Sequence, residues 1–134
     1  MARYLLDSDA VIDYLAGIAG TVELIHHLHR QGEDLCVCDV VIADVYSGLR
    51  IPSRDAAQKL IGSLSFLPTS AEAARRAGEW RYAYARRGVT LSTTDVLVAA
   101  TASAHQAGLV TGNRDHYPMR ELQVLPLPRS TTAT

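Results

Sequence analysis

Short apolar runs alternate with longer amphipathic stretches along the whole chain, and that alternation points to a fold class before any single residue is considered. Arg3 to Leu6 reads as a strand, and Ala10 to Leu15 begins a helical stretch broken at Gly17 and Gly20. Thr21 is placed to cap a helix through Arg30, with Val22, Ile25 and Leu28 or His29 on one side and Gly32 as its stop. Leu35 to Cys38 is short and apolar enough for a buried strand. Asp39 suits the N-cap of a helix over Val40 to Leu49, and Pro52-Ser53 introduces another over Arg54 to Leu64. Phe66-Leu67-Pro68 predicts a third strand, closed by proline. Ser70 opens a long helix to about Arg87, with Ala73, Ala77, Trp80 and Tyr84 as its apolar stripe and Gly88 as its end. Ser92 begins a helix to Gln106, ended by Gly108. Leu109 to Thr111 and Gln123 to Leu127 complete the strands.

Parallel strands need crossovers, and crossovers cover the faces of the sheet, so this order predicts a three-layer α/β/α sandwich with a short, mainly parallel sheet. Residues 1–127 are expected to form one domain, and 128–134 a polar, disordered tail. The 134 residues are 48% hydrophobic with a net charge of −1, which argues against broad non-specific DNA binding while leaving room for local basic clusters. No apolar run reaches the roughly 18 residues of a membrane span, and no leader pattern opens the chain. A cytoplasmic protein is therefore expected. Cys36 and Cys38 share one face of a strand, a poor geometry for bridging each other, and read as buried free thiols.

Acids then fall where the strands end. Asp7 directly follows the first strand, with Asp9 two residues on; Asp44 lies in the helix after the second; Asp95 begins a helix; Asp115 follows the fourth strand. Carboxylates at the carboxyl ends of parallel strands stand where open α/β sheets bind ligands. Several converging there repel one another unless a cation joins them, and Mg²⁺ takes oxygen ligands of this kind while holding phosphates.

At these residues the chain resembles the PIN-domain ribonucleases, and within them the VapC toxins of toxin–antitoxin pairs. The motifs are Leu5-Leu6-Asp7-Ser8-Asp9, Ile42-Ala43-Asp44-Val45, Ser92-Thr93-Thr94-Asp95 and Thr111-Gly112-Asn113-Arg114-Asp115, in register from Arg3 to about Leu127. The resemblance implies Mg²⁺- or Mn²⁺-dependent hydrolysis of RNA, growth inhibition, a homodimer, and neutralisation by a VapB-type antitoxin. It implies that Asp7, Asp44, Asp95 and Asp115 are catalytic, with Asp7 and Asp95 holding the metal. Asp44, Asp115, Asn113 and Asp9 then hold a second ion or orient water. In such chemistry an activated water attacks phosphorus in line and the 3′ oxygen departs. The chain departs from the family pattern at three places: Asp44 replaces the usual glutamate, Asp9 the usual asparagine, and Asn113 stands where many relatives carry an acid, so that Asn113, Asp115 or both fill the fourth position.

Each residue also has a plainer reading. Ser92 with Asp95 three residues on forms a capping box, and both roles are compatible. Asp115 suits a turn after Gly112-Asn113. Glu23, His26, His27 and His29 form a wet helix face. Of twelve arginines, Arg75, Arg76, Arg81, Arg86 and Arg87 crowd one helix; Arg75, Arg76, Arg86 and Arg87, with Arg114, are candidates for RNA phosphates, while Glu72 and Glu79 offer them surface ion pairs. Three rival functions stand beside the toxin. A haloacid-dehalogenase-like phosphatase would use Asp7 as nucleophile and Asp9 as acid, but the only lysine, Lys59, comes early and no late acid pair exists. The others are a degenerate PIN-like metal- or RNA-binding module and a nuclease of RNA maturation.

Overall fold

Leu5-Leu6 and Leu109-Val110 are consecutive apolar pairs, and a strand buries both members of such a pair only if both faces of its sheet are covered. The computed structural model describes residues 1–128 and meets that demand. Five strands, β1 (Arg3–Leu6), β2 (Asp34–Cys38), β3 (Ser65–Leu67), β4 (Gly108–Thr111) and β5 (Val124–Pro126), form one sheet in the order β3, β2, β1, β4, β5. Every neighbouring pair is parallel; Leu5 of the central strand stands opposite Cys36 on one side and Leu109 on the other.

Six α-helices make the crossovers: α1 (Ser8–Leu15), α2 (Ala19–Arg30), α3 (Asp39–Ser47), α4 (Arg54–Gly62), α5 (Ala71–Arg86) and α6 (Thr93–Ala104). The first two crossovers step outward from β1 to β3, and the third returns past β1 to β4. Right-handed connections therefore put α1 to α4 on one face and α5 with α6 on the other. The α/β/α sandwich with a parallel centre is the architecture that the alternation predicts. Val11, Val41 and Val45 pack from the first face, and Val96, Val98 and Ala99 from the second. Helix α6 is buried almost all round, which explains its nearly continuous Val and Ala content.

Boundaries differ from the sequence reading where side-chain hydrogen bonds decide them. Asp7 itself caps α1, so that helix starts two residues earlier than periodicity suggests. Ile18, not Thr21, stands at the N-cap of α2, and Thr21 is buried inside the helix with no partner for its hydroxyl among the described residues. Cys38 occupies the N-cap position of α3; Asp39 is its first residue, with its carboxylate accepting from the Val40 N–H. Helix α4 stops at Gly62, not Leu64, and α6 at Ala104, not Gln106. Gln106 takes a left-handed φ of 51° in the turn that follows. Of the expected tail, all but Pro128 lies outside the described residues. Both thiols are free and buried, and burial pushes Cys36 up to about 12 and Cys38 to about 11. Among the described residues no helix is long and apolar enough to cross a membrane.

Strand order reverses beside β1, where one crossover leads to β2 and another arrives at β4. The crevice at the carboxyl ends of β1 and β4 is thus the place at which this topology presents side chains to a ligand. Two substitutions test the packing by urea denaturation. Leu109→Ala should cost about 3 kcal/mol through the cavity it leaves. Thr21→Val should instead add about 1 kcal/mol, because it removes a buried hydroxyl that finds no partner among the described residues and keeps the shape.

Candidate active site

Asp7 stands at the end of β1 and is only 7% exposed. Its backbone N–H still donates to Val110 of β4, so the sheet ladder delivers the side chain to the crevice. Three donors meet the carboxylate: the Ser8 N–H at 2.8 Å on Oδ1, and the Thr111 and Tyr117 hydroxyls at 2.9 and 2.7 Å on Oδ2. Burial nevertheless pushes the Asp7 carboxyl above its usual range, with the nearby charge of Asp95 adding to the effect; bonds from Tyr117, Ser8 and Thr111 pull the other way.

Asp9 lies one step deeper in α1 and reaches across to the turn after β4. Its Oδ2 accepts from the Gly112 N–H at 2.8 Å and from Asn113 Nδ2 at 3.0 Å, while its Oδ1 is buried without a partner among the described residues. Glycine is required at 112 by close approach: a Cβ there would sit 2.8 Å from Asp9 Oδ2. Burial first, and then the charge of Asp7, push Asp9 up to about 6, against the Gly112 bond.

Asp95 enters from the first turn of α6. Ser92 caps that helix through the Asp95 N–H at 3.0 Å, as the capping pattern predicts. The carboxylate of Asp95 makes no return bond to Ser92 among the described residues. It turns to the segment after β4, with Oδ1 3.2 Å from the Tyr117 hydroxyl and Oδ2 3.3 Å from His116 Nδ1. Asp95 is 24% exposed and His116 57%, so this pair forms the wet side of the site.

The structure thus joins Asp7 to Asp95 through Tyr117, and ties Asp9 to Asn113. It does not bring Asp44 or Asp115 into contact with them. Asp44 is exposed on α3, a helix that packs against both α1 and α6, and its carboxylate makes no hydrogen bond or ion pair among the described residues. Asp115 is exposed in the 3₁₀ turn Arg114–His116, where it and Arg114 line a shallow cleft with Tyr117 and Met119. The arginines of α5 are largely engaged by neighbours: Arg76 pairs with Glu121 and stacks on Trp80, Arg81 donates to the Leu91 carbonyl, and Arg86 and Arg87 lie over Tyr82 and Tyr84. Arg75 is exposed. Neither Glu72 nor Glu79 forms an ion pair with them among the described residues. The wet-face reading of α2 matches its contacts, with Glu23 3.7 Å from Arg30 and His26 3.0 Å from the Tyr14 hydroxyl.

Sequence reasoning did not find Thr111, Tyr117 and His116 as partners of the acids. The one legible sign was Thr111, a hydroxyl closing an otherwise apolar strand. Tyr117 and His116 fold back across a turn whose geometry no periodicity reveals.

Whether these residues suit a cation can be judged from their donor chemistry. Among the described residues no three carboxylate, imidazole or thiol groups stand close enough to enclose an ion. Mg²⁺ does not need such an enclosure, since one or two carboxylates with several waters suffice. An unpartnered buried oxygen on Asp9 among the described residues and one phenol placed between two carboxylates leave acceptor oxygens with too few donors. The set fits a hard divalent cation.

An α/β/α sandwich with two acids, Asp7 and Asp9, just past the carboxyl end of its central parallel strand, joined by a third, Asp95, from α6, defines a domain class built around an acidic centre. A family model described as PIN domain matches residues 4–122. The chain belongs to the PIN domain family. It is similar to Ribonuclease VapC10 of Mycobacterium tuberculosis, at 32% identity over 117 residues covering 87% of each chain. Ribonuclease VapC19 of the same organism is 28% identical and covered over 92% of its length, against 86% of this chain. Among solved structures, VapBC2 from Rickettsia felis bound to a promoter DNA fragment matches with a TM-score of 0.80 at 19% identity, over 94% of this chain and 99% of that one. DNA-bound VapBC from Salmonella typhimurium reaches the same TM-score at 17% identity, over 94% and 98%.

The Asp9 contacts generate two predictions. A carboxyl at about 6 in the folded state, against an ordinary 3.8, takes up its proton earlier folded than unfolded. In EDTA the folded state should therefore gain stability as pH falls from about 7 to about 5, and Asp9→Asn should flatten that part of the Tm profile. Gly112→Ala forces Asp9 aside and should lower stability by about 1–3 kcal/mol in urea denaturation.

Proposed function

We infer that this chain is a metal-dependent endoribonuclease of the VapC kind, a toxin that hydrolyses RNA phosphodiester bonds and inhibits growth until an antitoxin binds it. The observation that carries the reading is the buried Asp7 carboxylate at the β1–β4 crevice, joined through one hydroxyl to Asp95. Membership of the PIN domain family, over residues 4–122, supports it and sets aside the phosphatase alternative. Two relatives bearing the name Ribonuclease, and structures of VapBC assemblies, support it further.

In this reading Asp7 and Asp95 hold the ion, with Mg²⁺ the natural choice for oxygen ligands and Mn²⁺ able to replace it. When bound, such an ion supplies the charge that shields the phosphate and lowers the pKa of a water for in-line attack. Asp44 and Asp115 orient water at the rim. Asn113, Asp115 or both fill the fourth position, and the amide that Asn113 gives to Asp9 makes Asp9 a latch between the first and fourth motifs. Arg114 flanks the site. Arg75, Arg76, Arg86 and Arg87, together with exposed Tyr82 on the same helix, offer phosphate contacts and one stacking surface to RNA.

The remaining parts of the proposal are a single PIN domain over residues 1–127, a homodimer, a VapB-type antitoxin as partner, and the cytoplasm as the site of action. Purified protein should cut total cellular RNA with Mg²⁺ or Mn²⁺ and not with EDTA, and Asp7→Asn should lower the rate at least ~10²-fold, the scale on which loss of a key charge-stabilising group acts. Adding the cognate antitoxin should abolish cutting. Cleavage that persists in EDTA or in Asp7→Asn would contradict the reading, and a folded, metal-binding protein that cuts no RNA would point to the degenerate module.

A further inference from the structure

We propose that Tyr117 is a positioning residue of the metal site, whose hydroxyl decides which oxygen of Asp7 remains available to an ion and holds Asp7 and Asp95 at one spacing. The inference rests on the reading of Asp7 and Asp95 as the ion's ligands.

A phenol has one proton to donate. Its oxygen lies 2.7 Å from Asp7 Oδ2 and 3.2 Å from Asp95 Oδ1, so one proton faces two carboxylates. Donation along the shorter contact leaves the lone pairs of the phenol against Asp95, an arrangement that repels unless positive charge lies close by. Asp7 Oδ2 also accepts from Thr111 and is thereby saturated, whereas Asp7 Oδ1 accepts only from Ser8 and keeps a lone pair. The two hydroxyls turn Asp7 so that Oδ1 is the oxygen left for a ligand. Hydrogen bonds to ligating carboxylates serve this purpose in metal sites generally.

Packing alone does not call for the hydroxyl. Tyr117 is 4% exposed, and its ring would fill the same space as phenylalanine. Nor is the hydroxyl needed to anchor its own segment. The turn is already held by the Tyr117 N–H on the Arg114 carbonyl, the His116 N–H on the Asn113 carbonyl, and the Tyr84 hydroxyl on the Pro118 carbonyl. The one task left to the Tyr117 oxygen is the relation between the two acids.

The test is calorimetric titration of Mn²⁺ into wild type, Tyr117→Phe and Asp7→Asn, with each variant's melting measured in EDTA to verify its fold. Tyr117→Phe should bind Mn²⁺ about 10–100-fold more weakly than wild type while Asp7→Asn loses binding altogether. Unchanged or tighter Mn²⁺ binding by folded Tyr117→Phe, beside loss in Asp7→Asn, would overturn the role of Tyr117 and leave the ligand assignment standing. Full binding by Asp7→Asn would overturn the assignment itself. A second measurement needs no variant: in wild type labelled with ¹³C at tyrosine Cζ, saturating Mg²⁺ should shift the Tyr117 resonance. A resonance that does not move at saturation would contradict the proposal.

Discussion

The hydrogen bonds that converge on Asp7 hold this structure's functional end together. They draw on the turn into α1, on the last residue of β4 and on the segment beyond it, so the carboxylate is the point where the two directions of the sheet meet. A charge buried there is costly, and its burial is tolerable only because donors surround it. Even so, those donors do not cancel the desolvation, and the acid stays above its ordinary range. What remains is an unmet demand for positive charge at the crevice where parallel sheets take their ligands.

The neighbouring contacts read as consequences of that demand. Asp9 spends one oxygen on pinning Gly112 and Asn113 against α1, which fixes the course of the chain after β4. That course places His116 and Tyr117 over Asp95, and Asp95 is fixed from behind by the Ser92 cap of α6. Three segments distant in sequence, 7–9, 92–95 and 111–117, thereby share one small cluster.

Much of the fold was legible because its signals are local. Each strand is a short run bounded by turn residues, and Gly88 and Ser92 mark a helix end and a helix start through their own backbone and cap chemistry. Asp7 was legible as a site residue for a related reason: an acid directly after a buried strand has few structural explanations. Asp95 was ambiguous by sequence, and the structure shows both halves of the ambiguity, since its N–H serves the cap while its carboxylate serves the cluster. The contact of Asp9 with Gly112 was not legible because this partner is a backbone N–H more than a hundred residues away. Tyr117 was illegible for the same reason, since its importance lies in the meeting of its hydroxyl with two acids and not in its own surroundings. The arginines of α5 show a further limit. Spacing suggested Glu72 and Glu79 as ion-pair partners, whereas the ion pair of Arg76 reaches Glu121, and Arg86 and Arg87 lie over the aromatic faces of Tyr82 and Tyr84 on the same helix.

The central claim is that Asp7 and Asp95 together form the seat of a divalent cation. Anomalous scattering from a crystal of the protein soaked in Mn²⁺ addresses it most directly. The account predicts a strong Mn²⁺ peak within bonding distance of carboxylate oxygens of both residues. No peak at saturating Mn²⁺, or a peak only at the histidines of α2, would contradict it.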